Sequence, residues 1–195
     1  MLVKVKTIYL ELKGEDEFRP KTGYRERLEV KEVENDAYLN FILLAGVGLP
    51  WRWYSRFKWT IRDWDEYFTS NRVKTYLGFE GKKLAGYYEL EFTEKRNAEI
   101  KFFGVFPYYM GRGLGGMLLS HAVESARKNN AERVWLHTCS NDSDAALGNY
   151  LARGFRIFRE EEKFENVPEN SELVRLTAEF FAGYIKRYPP QQNQR

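Results

Sequence analysis

From residue 2 to 12, Val3, Val5, Thr7 and Tyr9 alternate with Lys4 and Lys6, the period-two pattern of a half-buried strand. Residues 15–24 are polar with Gly and Pro and predict a loop, and 27–33 reads as a second short strand. Helical spacing takes over at 37–45, where Tyr38, Phe41, Ile42 and Ala45 share a face. Asn35 stands where an N-cap belongs, and Gly46, Gly48 and Pro50 stand where the helix should end. A short helix over 63–70 with Asp63 as its cap follows. Two apolar runs, 73–80 and 84–92, flank Gly81-Lys82-Lys83 and predict a hairpin. The turn 93–97 then leads into a strand over 99–106, which completes a three-stranded antiparallel meander.

The second half alternates differently. Leu114, Met117, Leu118, Ala122 and Ser125 share one face of a helix over 113–129, with Glu124, Arg127 and Lys128 opposite. A strand over 133–139, a helix over 144–152 ended by Gly154, and a strand over 156–164 follow. Helical spacing returns over 171–187 through Leu173, Leu176, Phe180 and Tyr184, and the polar tail PPQQNQR is expected to be disordered. With no repeat and no linker, the pattern predicts one domain over 1–187 and a tail over 188–195.

The chemistry concentrates in EIKFFGVFPYYMGRGLGG, residues 99–116. An apolar strand meets Pro107, four glycines (Gly111, Gly113, Gly115 and Gly116) surround Arg112, and a helix starts on them. Such a loop aims several backbone N–H groups one way with the helix dipole behind them, which makes an anion site, most often for phosphate. Three phosphate loops compete for this reading. A P-loop requires Gly-Lys-Ser/Thr at its end, and Leu114-Gly115-Gly116 has no such Lys. The Rossmann spacing matches literally as Gly111-x-Gly113-x-x-Gly116, but strand 133–139 ends in Thr138-Cys139 rather than an acidic residue. The upstream strands also run consecutively through tight turns.

The third reading fits. Pro107-x-x-x-Gly111-Arg112-Gly113-Leu114-Gly115 after an apolar strand resembles motif A of the GNAT-type N-acetyltransferases. Downstream, Ala145-Ala146-Leu147-x-Asn149-Tyr150-x-x-x-Gly154-Phe155 resembles the same family's helix–strand element. The resemblance covers about 73–165, which would be the cofactor-binding core. It implies an α/β (α+β) fold, a GNAT-like acyl-CoA N-acyltransferase fold. That fold is a twisted, mainly antiparallel mixed sheet flanked by helices, with one splayed parallel strand pair. It implies acetyl (acyl) transfer from acetyl-CoA to an amine by direct attack in a ternary complex.

Site residues follow from the same resemblance. The loop Met110, Gly111, Arg112, Gly113, Leu114, Gly115 and Gly116 would cradle the pyrophosphate through backbone amides, although Met110 stands where the family has Arg or Gln. The thioester would lie along Phe103, Gly104, Val105 and Phe106, where Gly104 suits a bulge or a close approach. Asn141, Ser143 and Asn149 compete for the family's Asn contact to the cofactor. Glu99 occupies the position of a glutamate base, and Tyr150 that of a tyrosine that protonates the leaving thiolate. An alkyl ammonium of pKa ~10.4 must lose a proton before it attacks, and a phenol of pKa ~10 can donate to a thiol of pKa ~8.5. Glu89, Glu91 and His137 are the other candidate bases.

Trp51 to Phe68 holds four of the five tryptophans, interleaved with Arg52, Arg56, Lys58 and Arg62. It reads as an aromatic roof over the core, as a wall of the acceptor pocket, or as a stacking surface for nucleic-acid bases. Its basic residues suit an acidic or aromatic acceptor, while Glu89 and Glu91 suit a cationic one.

Composition narrows the partners. In 195 residues, 43% are hydrophobic and 30% charged, with a net charge of +3. That charge is too small to announce nucleic acid or a membrane. The single cysteine, Cys139, excludes an intramolecular disulfide and points to a reducing cytoplasm; it reads as a small core residue. The charged N-terminus is unlike a signal peptide, no metal-ligand spacing appears, and the scarcity of Gln leans towards a thermophilic source. Homodimerisation is left open. A CoA-responsive module without turnover and an RNA-binding protein stand as the alternative functions.

Overall fold

The computed structural model describes residues 1–70 and 72–187; the expected disorder of the tail falls outside them. Seven strands form one sheet: β1 (Leu2–Leu12), β2 (Glu29–Val33), β3 (Arg72–Glu80), β4 (Lys83–Thr93), β5 (Asn97–Val105), β6 (Arg133–Cys139) and β7 (Arg156–Asn166). Their order is β2-β3-β4-β5-β6-β1-β7. Every pair is antiparallel except β5–β6. The helices are α1 (Tyr24–Arg27), α2 (Ala37–Gly48), α3 (Ile61–Ser70), α4 (Leu114–Lys128), α5 (Asp144–Ala152) and α6 (Asn170–Arg187). The mixed sheet, flanked by helices and carrying one parallel pair, is the fold class the resemblance implied.

Two hydrophobic layers hold the sheet. On one face, Leu114, Leu118, Ala122 and Val123 of α4 pack with Tyr88, Leu90, Ile100, Val134 and Leu136 of the central strands. On the other, Phe41 and Leu44 of α2, Phe57, and Trp64 of α3 join Leu173 and Phe180 of α6. Phe41 and Phe180 stack with centroids 3.9 Å apart. The second layer is therefore where most of the aromatic segment goes.

Local structure departs from the sequence pattern in instructive places. The cap of α2 is Asp36, whose Oδ1 accepts from the Leu39 N–H at 2.8 Å. Asn35 instead reaches β3, donating to the Val73 carbonyl and accepting from Thr75. The cap of α3 is Thr60; Asp63 lies in its first turn and answers reciprocally, accepting from the Thr60 N–H while its own N–H faces Thr60 Oγ1.

Gly46 lies inside α2, which continues past it and ends at Gly48. A Cβ on Gly46 would lie 2.6 Å from the Phe106 ring, and one on Gly48 2.5 Å from Trp53. These glycines allow close approach of the helix to what will be the site. The bulge in β5 falls at Lys101, between the pairs Leu90↔Ile100 and Glu89↔Phe102. Gly104 serves a close approach, since its Cβ would meet Val47 at 2.6 Å.

Candidate active site

The parallel pair β5–β6 is short: it holds Asn97↔Arg133, Ala98↔Val134 and Glu99↔Trp135, then stops. Beyond it, β5 stays with β4 and β6 stays with β1. The extra residue at Lys101 bends β5, as a bulge does. Phe103 and Tyr150, with ring centroids 6.0 Å apart, stand in the opening. One edge of Ile100–Val105 is thereby released from sheet pairing and faces a cleft.

Two cavities meet there. The first is a groove lined by Phe103, Gly104 and Val105, by Met110, Gly111, Gly113, Gly115 and Gly116, and by Ser143, Ala145, Ala146 and Asn149 of the facing α5 start. Gly111 and Gly113 take φ of 74° and 80°, a region that glycine enters at little cost, and nothing lies within 4 Å of either Cβ direction. Conformation, rather than crowding, is what requires glycine at both. Gly113 caps α4 with no side-chain hydrogen bond, so the first-turn amides of α4 lack a side-chain acceptor there. Gly116 is different: its Cβ would sit 2.5 Å from Arg153 Nη1 and 3.2 Å from Asn149 Oδ1.

The second cavity lies between the segment after α2 and strands β1, β5, β6 and β7, and is lined by Tyr9, Trp51, Arg52, Trp53, Tyr54, Lys101, Phe102, His137, Asn141, Lys163 and Glu165, among others. Tyr150, Phe103, Trp53 and Asp142 line both cavities. The Tyr150 side chain is buried at 6% exposure, and burial pushes its phenol well above the ordinary range. No hydrogen bond engages its hydroxyl among the described residues. Asp142 is fully engaged, accepting from Trp53 Nε1 at 2.8 Å, Thr138 Oγ1 at 2.6 Å and the Cys139 N–H at 2.9 Å. It ties the Trp53 loop to the start of α5 across the cleft.

Not every expected site residue lines the groove with its side chain. The Leu114 side chain is buried in the core, so only its backbone is available. Arg112 pairs with Glu80 at 2.7 Å and Phe106 packs under Gly46; neither lines the groove. Asn149 lines the groove, whereas Asn141 lines the second cavity. Glu99 is 5% exposed at the closed end of the splay and lines neither cavity. Lys101 Nζ donates to it at 3.0 Å, and its other oxygen lies 3.6 Å from His137 Nδ1. The half-exposed His137 is the group that reaches the second cavity.

Glu89 and Glu91 are spent beneath the sheet. Glu89, 1% exposed, pairs with the buried Arg56 at 2.9 Å and accepts from Asn40. The Tyr67 hydroxyl lies between them, 3.0 Å from Glu89 Oε1 and 2.8 Å from Glu91 Oε2, and shares its one proton between the two acceptors. The Arg56 guanidinium is caged by Trp59, Trp64, Tyr67 and Phe102. The aromatic segment thus divides: Trp51, Trp53 and Tyr54 wall the second cavity, and the rest belongs to the core. Among the residues that sequence reasoning did not single out are Asp142, Arg153, Lys101, Lys163 and Glu165. The polar turn-forming run after β6, Ser140-Asn141-Asp142-Ser143, was the available sign of the first.

Buried phenols give the fold an alkaline signature. Burial and the neighbouring Glu165 carboxylate push Tyr54 up to about 12, and burial leads the upward shifts of Tyr67, Tyr76, Tyr87 and Tyr150. Their raised folded-state pKa stabilises the fold fully below the unfolded value of about 10, and this contribution is lost as pH rises through the folded values. Ultraviolet titration is therefore expected to give two phases, exposed tyrosines first and the buried set only together with loss of circular dichroism. A single phase with the fold intact would contradict the burial.

Among the described residues no helix is long and apolar enough to cross a membrane, and no cluster of three or more His, Cys, Asp or Glu is placed to hold a metal. The model of the GNAT acetyltransferase family matches residues 18–155. A Bacillus subtilis protein described as the uncharacterized N-acetyltransferase YvbK is 30% identical over 160 residues, which cover 77% of this chain and 94% of the relative. Among solved structures, an IAA acetyltransferase from Bacillus cereus and a Bacillus subtilis acetyltransferase in complex with CoA each superpose with TM-score 0.52 at 27% identity. Each match covers 68% of this chain and 79% of the other. The chain belongs to the GNAT acetyltransferase family.

Proposed function

We propose that this protein transfers an acetyl group from acetyl-CoA to a small amine by direct attack, with both substrates bound in the splayed cleft. The observation that carries the reading is Tyr150: a buried phenol with no hydrogen-bond partner among the described residues, at the junction of the groove and the second cavity. The cofactor's pyrophosphate fits the Gly111–Gly116 loop, where amides and dipole at the α4 start favour an anion. Its pantetheine arm fits the unpaired edge of Phe103–Val105, and the thioester then arrives beside Tyr150. The relative solved in complex with CoA supports CoA as the ligand.

The acceptor occupies the second cavity. Its ammonium gives a proton to His137, which lines that cavity, while Glu99 behind Nδ1 positions the ring and stabilises the imidazolium. The amine nitrogen then attacks the thioester carbonyl carbon. The C–S bond breaks with its electron pair on sulfur, Tyr150 donates its proton to that thiolate, and the products are an amide and free CoA. In this scheme Glu99 acts through His137 rather than on the substrate. Cys139 takes no part; burial pushes its thiol up, the wrong direction for a nucleophile.

Thiol release from acetyl-CoA across a panel of small amines tests the proposal. The expected result is CoA release that depends on the amine, with the N-acetylated amine found by mass spectrometry. Bound acetyl-CoA with no release above hydrolysis for any amine would favour a sensing module. A nucleic-acid role is disfavoured, because Arg56 is buried and Lys58 and Arg62 are ion-paired with Glu172 and Glu66, which leaves Arg52 as the segment's one unpaired cation among the described residues, too little charge to follow a phosphate backbone.

A further inference from the structure

Building on the acetyl-transfer reading, we infer that the acceptor is a small amine that also carries a carboxylate and an aromatic or apolar flank. Arg52 is the residue that recognises the carboxylate. The charges facing the second cavity carry the argument. Its acidic residues are already satisfied: Asp142 accepts three hydrogen bonds, and Glu165 accepts from Tyr54 and pairs with Lys163 at 3.1 Å. Lys101 is neutralised by Glu99 at 3.0 Å, with Glu91 at 3.8 Å. Arg52 alone of the lining cations has no ion pair or hydrogen bond to its guanidinium among the described residues. Glu89 and Glu91, which would favour a purely cationic acceptor, are held beneath the sheet by Arg56, Tyr67 and Lys101. An acceptor with only an ammonium would bring a second cation to a cavity whose unspent charge is positive. A carboxylate supplies the missing counter-charge and matches the guanidinium fork in two hydrogen bonds.

The backbone adds an independent observation. Arg52 has φ 56° and ψ 42° and closes the short 3-10 turn Leu49–Trp51, its N–H donating to the Leu49 carbonyl. Glycine or asparagine suits that left-handed position best. An arginine stands there against local preference, the kind of strain that points towards a used side chain. The position is over-determined by its neighbour: Trp53 N–H donates to the Gly48 carbonyl and its side chain fills the space that a Gly48 Cβ would need. Arg52 is thereby held between Trp51 and Trp53, with Tyr54 adjoining, and these three rings wall the cavity for the acceptor's flank.

Quenching of tryptophan fluorescence tests the inference without chemistry, using two product-like probes, N-acetyl-L-phenylalanine and N-acetylphenethylamine, which differ by the carboxylate. Saturation by the carboxylated probe is expected at a concentration lower by about tenfold or more, and the difference should vanish in Arg52→Gln. Arg52→Gly serves as the second variant; it suits the left-handed backbone, keeps the fold and lacks the guanidinium, so the difference should vanish there too. Equal concentrations for both probes in the native protein, or a difference that survives both variants, would overturn the role of Arg52. Failure of the acetyl-transfer reading would look different: no quenching by acetyl-CoA and no thiol release with any amine.

Discussion

Tyr150→Phe is expected to lower kcat by about 10²–10³-fold, within the range for removal of one general acid, while acetyl-CoA affinity changes by less than about twofold. The substitution deletes one oxygen and leaves the ring that packs against Phe103 and Phe155. The phenol has no partner among the described residues, so its loss leaves no buried group unsatisfied and the stability should hold. This contrast between turnover and binding separates a proton donor to the thiolate from a residue that merely shapes the cleft. Steady-state kinetics with calorimetry on the same preparation measures both. Unchanged kcat would remove Tyr150 from the mechanism, and a parallel loss of acetyl-CoA affinity would make it a binding residue.

The second large effect is on stability. Glu89→Ala is expected to destabilise the fold by about 3–5 kcal/mol, the cost of breaking a buried ion pair from one side. For a chain of this size that amounts to a fall in Tm of roughly 10 °C. Arg56 and Glu89 are 4% and 1% exposed. Without the carboxylate, the guanidinium stays caged among four rings with no anion in contact, and Asn40 and Tyr67 each lose an acceptor. Glu89→Gln, which keeps an acceptor oxygen, should lose less. Urea unfolding of the three proteins decides the matter: a loss below about 1 kcal/mol for Glu89→Ala would mean that water or rearrangement satisfies Arg56.

What could be read from the chain beforehand was whatever depends on neighbours in sequence. The helical face of 114–126 and the glycines around Arg112 report local geometry and appear where the pattern put them; 2–12 is a strand as its alternation predicts, but Leu10 and Leu12, of the opposite parity to Val5 and Thr7, are buried too. What could not be read depends on residues brought together by the sheet. Nothing near Leu2–Leu12 announces that β1 pairs with β6, more than a hundred residues away. Gly46 looks like a helix breaker because glycine lowers helix propensity, yet α2 runs on past it to Gly48, with Phe106 packed where a Gly46 Cβ would stand. Gly104 suited a bulge or a close approach; it serves the close approach, to Val47, and register puts the bulge at Lys101.

The site divides the same way. That the glycine loop and Tyr150 line one groove follows the two short motifs that named them. The carboxylates were not legible, since Glu89, Glu91 and Glu99 differ only in what the tertiary fold puts beside them: a caged arginine, a tyrosine, and a lysine with a histidine. Likewise, Trp51–Phe68 allowed three uses because burial, which separates Arg52 from Arg56, has no local signature. The structure splits that segment between wall and core.

The measurement that tests the account most directly is calorimetric titration of acetyl-CoA into the native protein and into Gly113→Glu. The open space around the Gly113 Cβ direction leaves room for the side chain, and the left-handed φ costs only about 1–2 kcal/mol, so the variant should fold. Its carboxylate, however, would stand at the α4 N-terminus, where the account puts the pyrophosphate. Saturable binding by the native protein with none by Gly113→Glu is the predicted result. Equal binding by both, or none by the native protein, would contradict the assignment of the glycine loop and the cleft it opens onto.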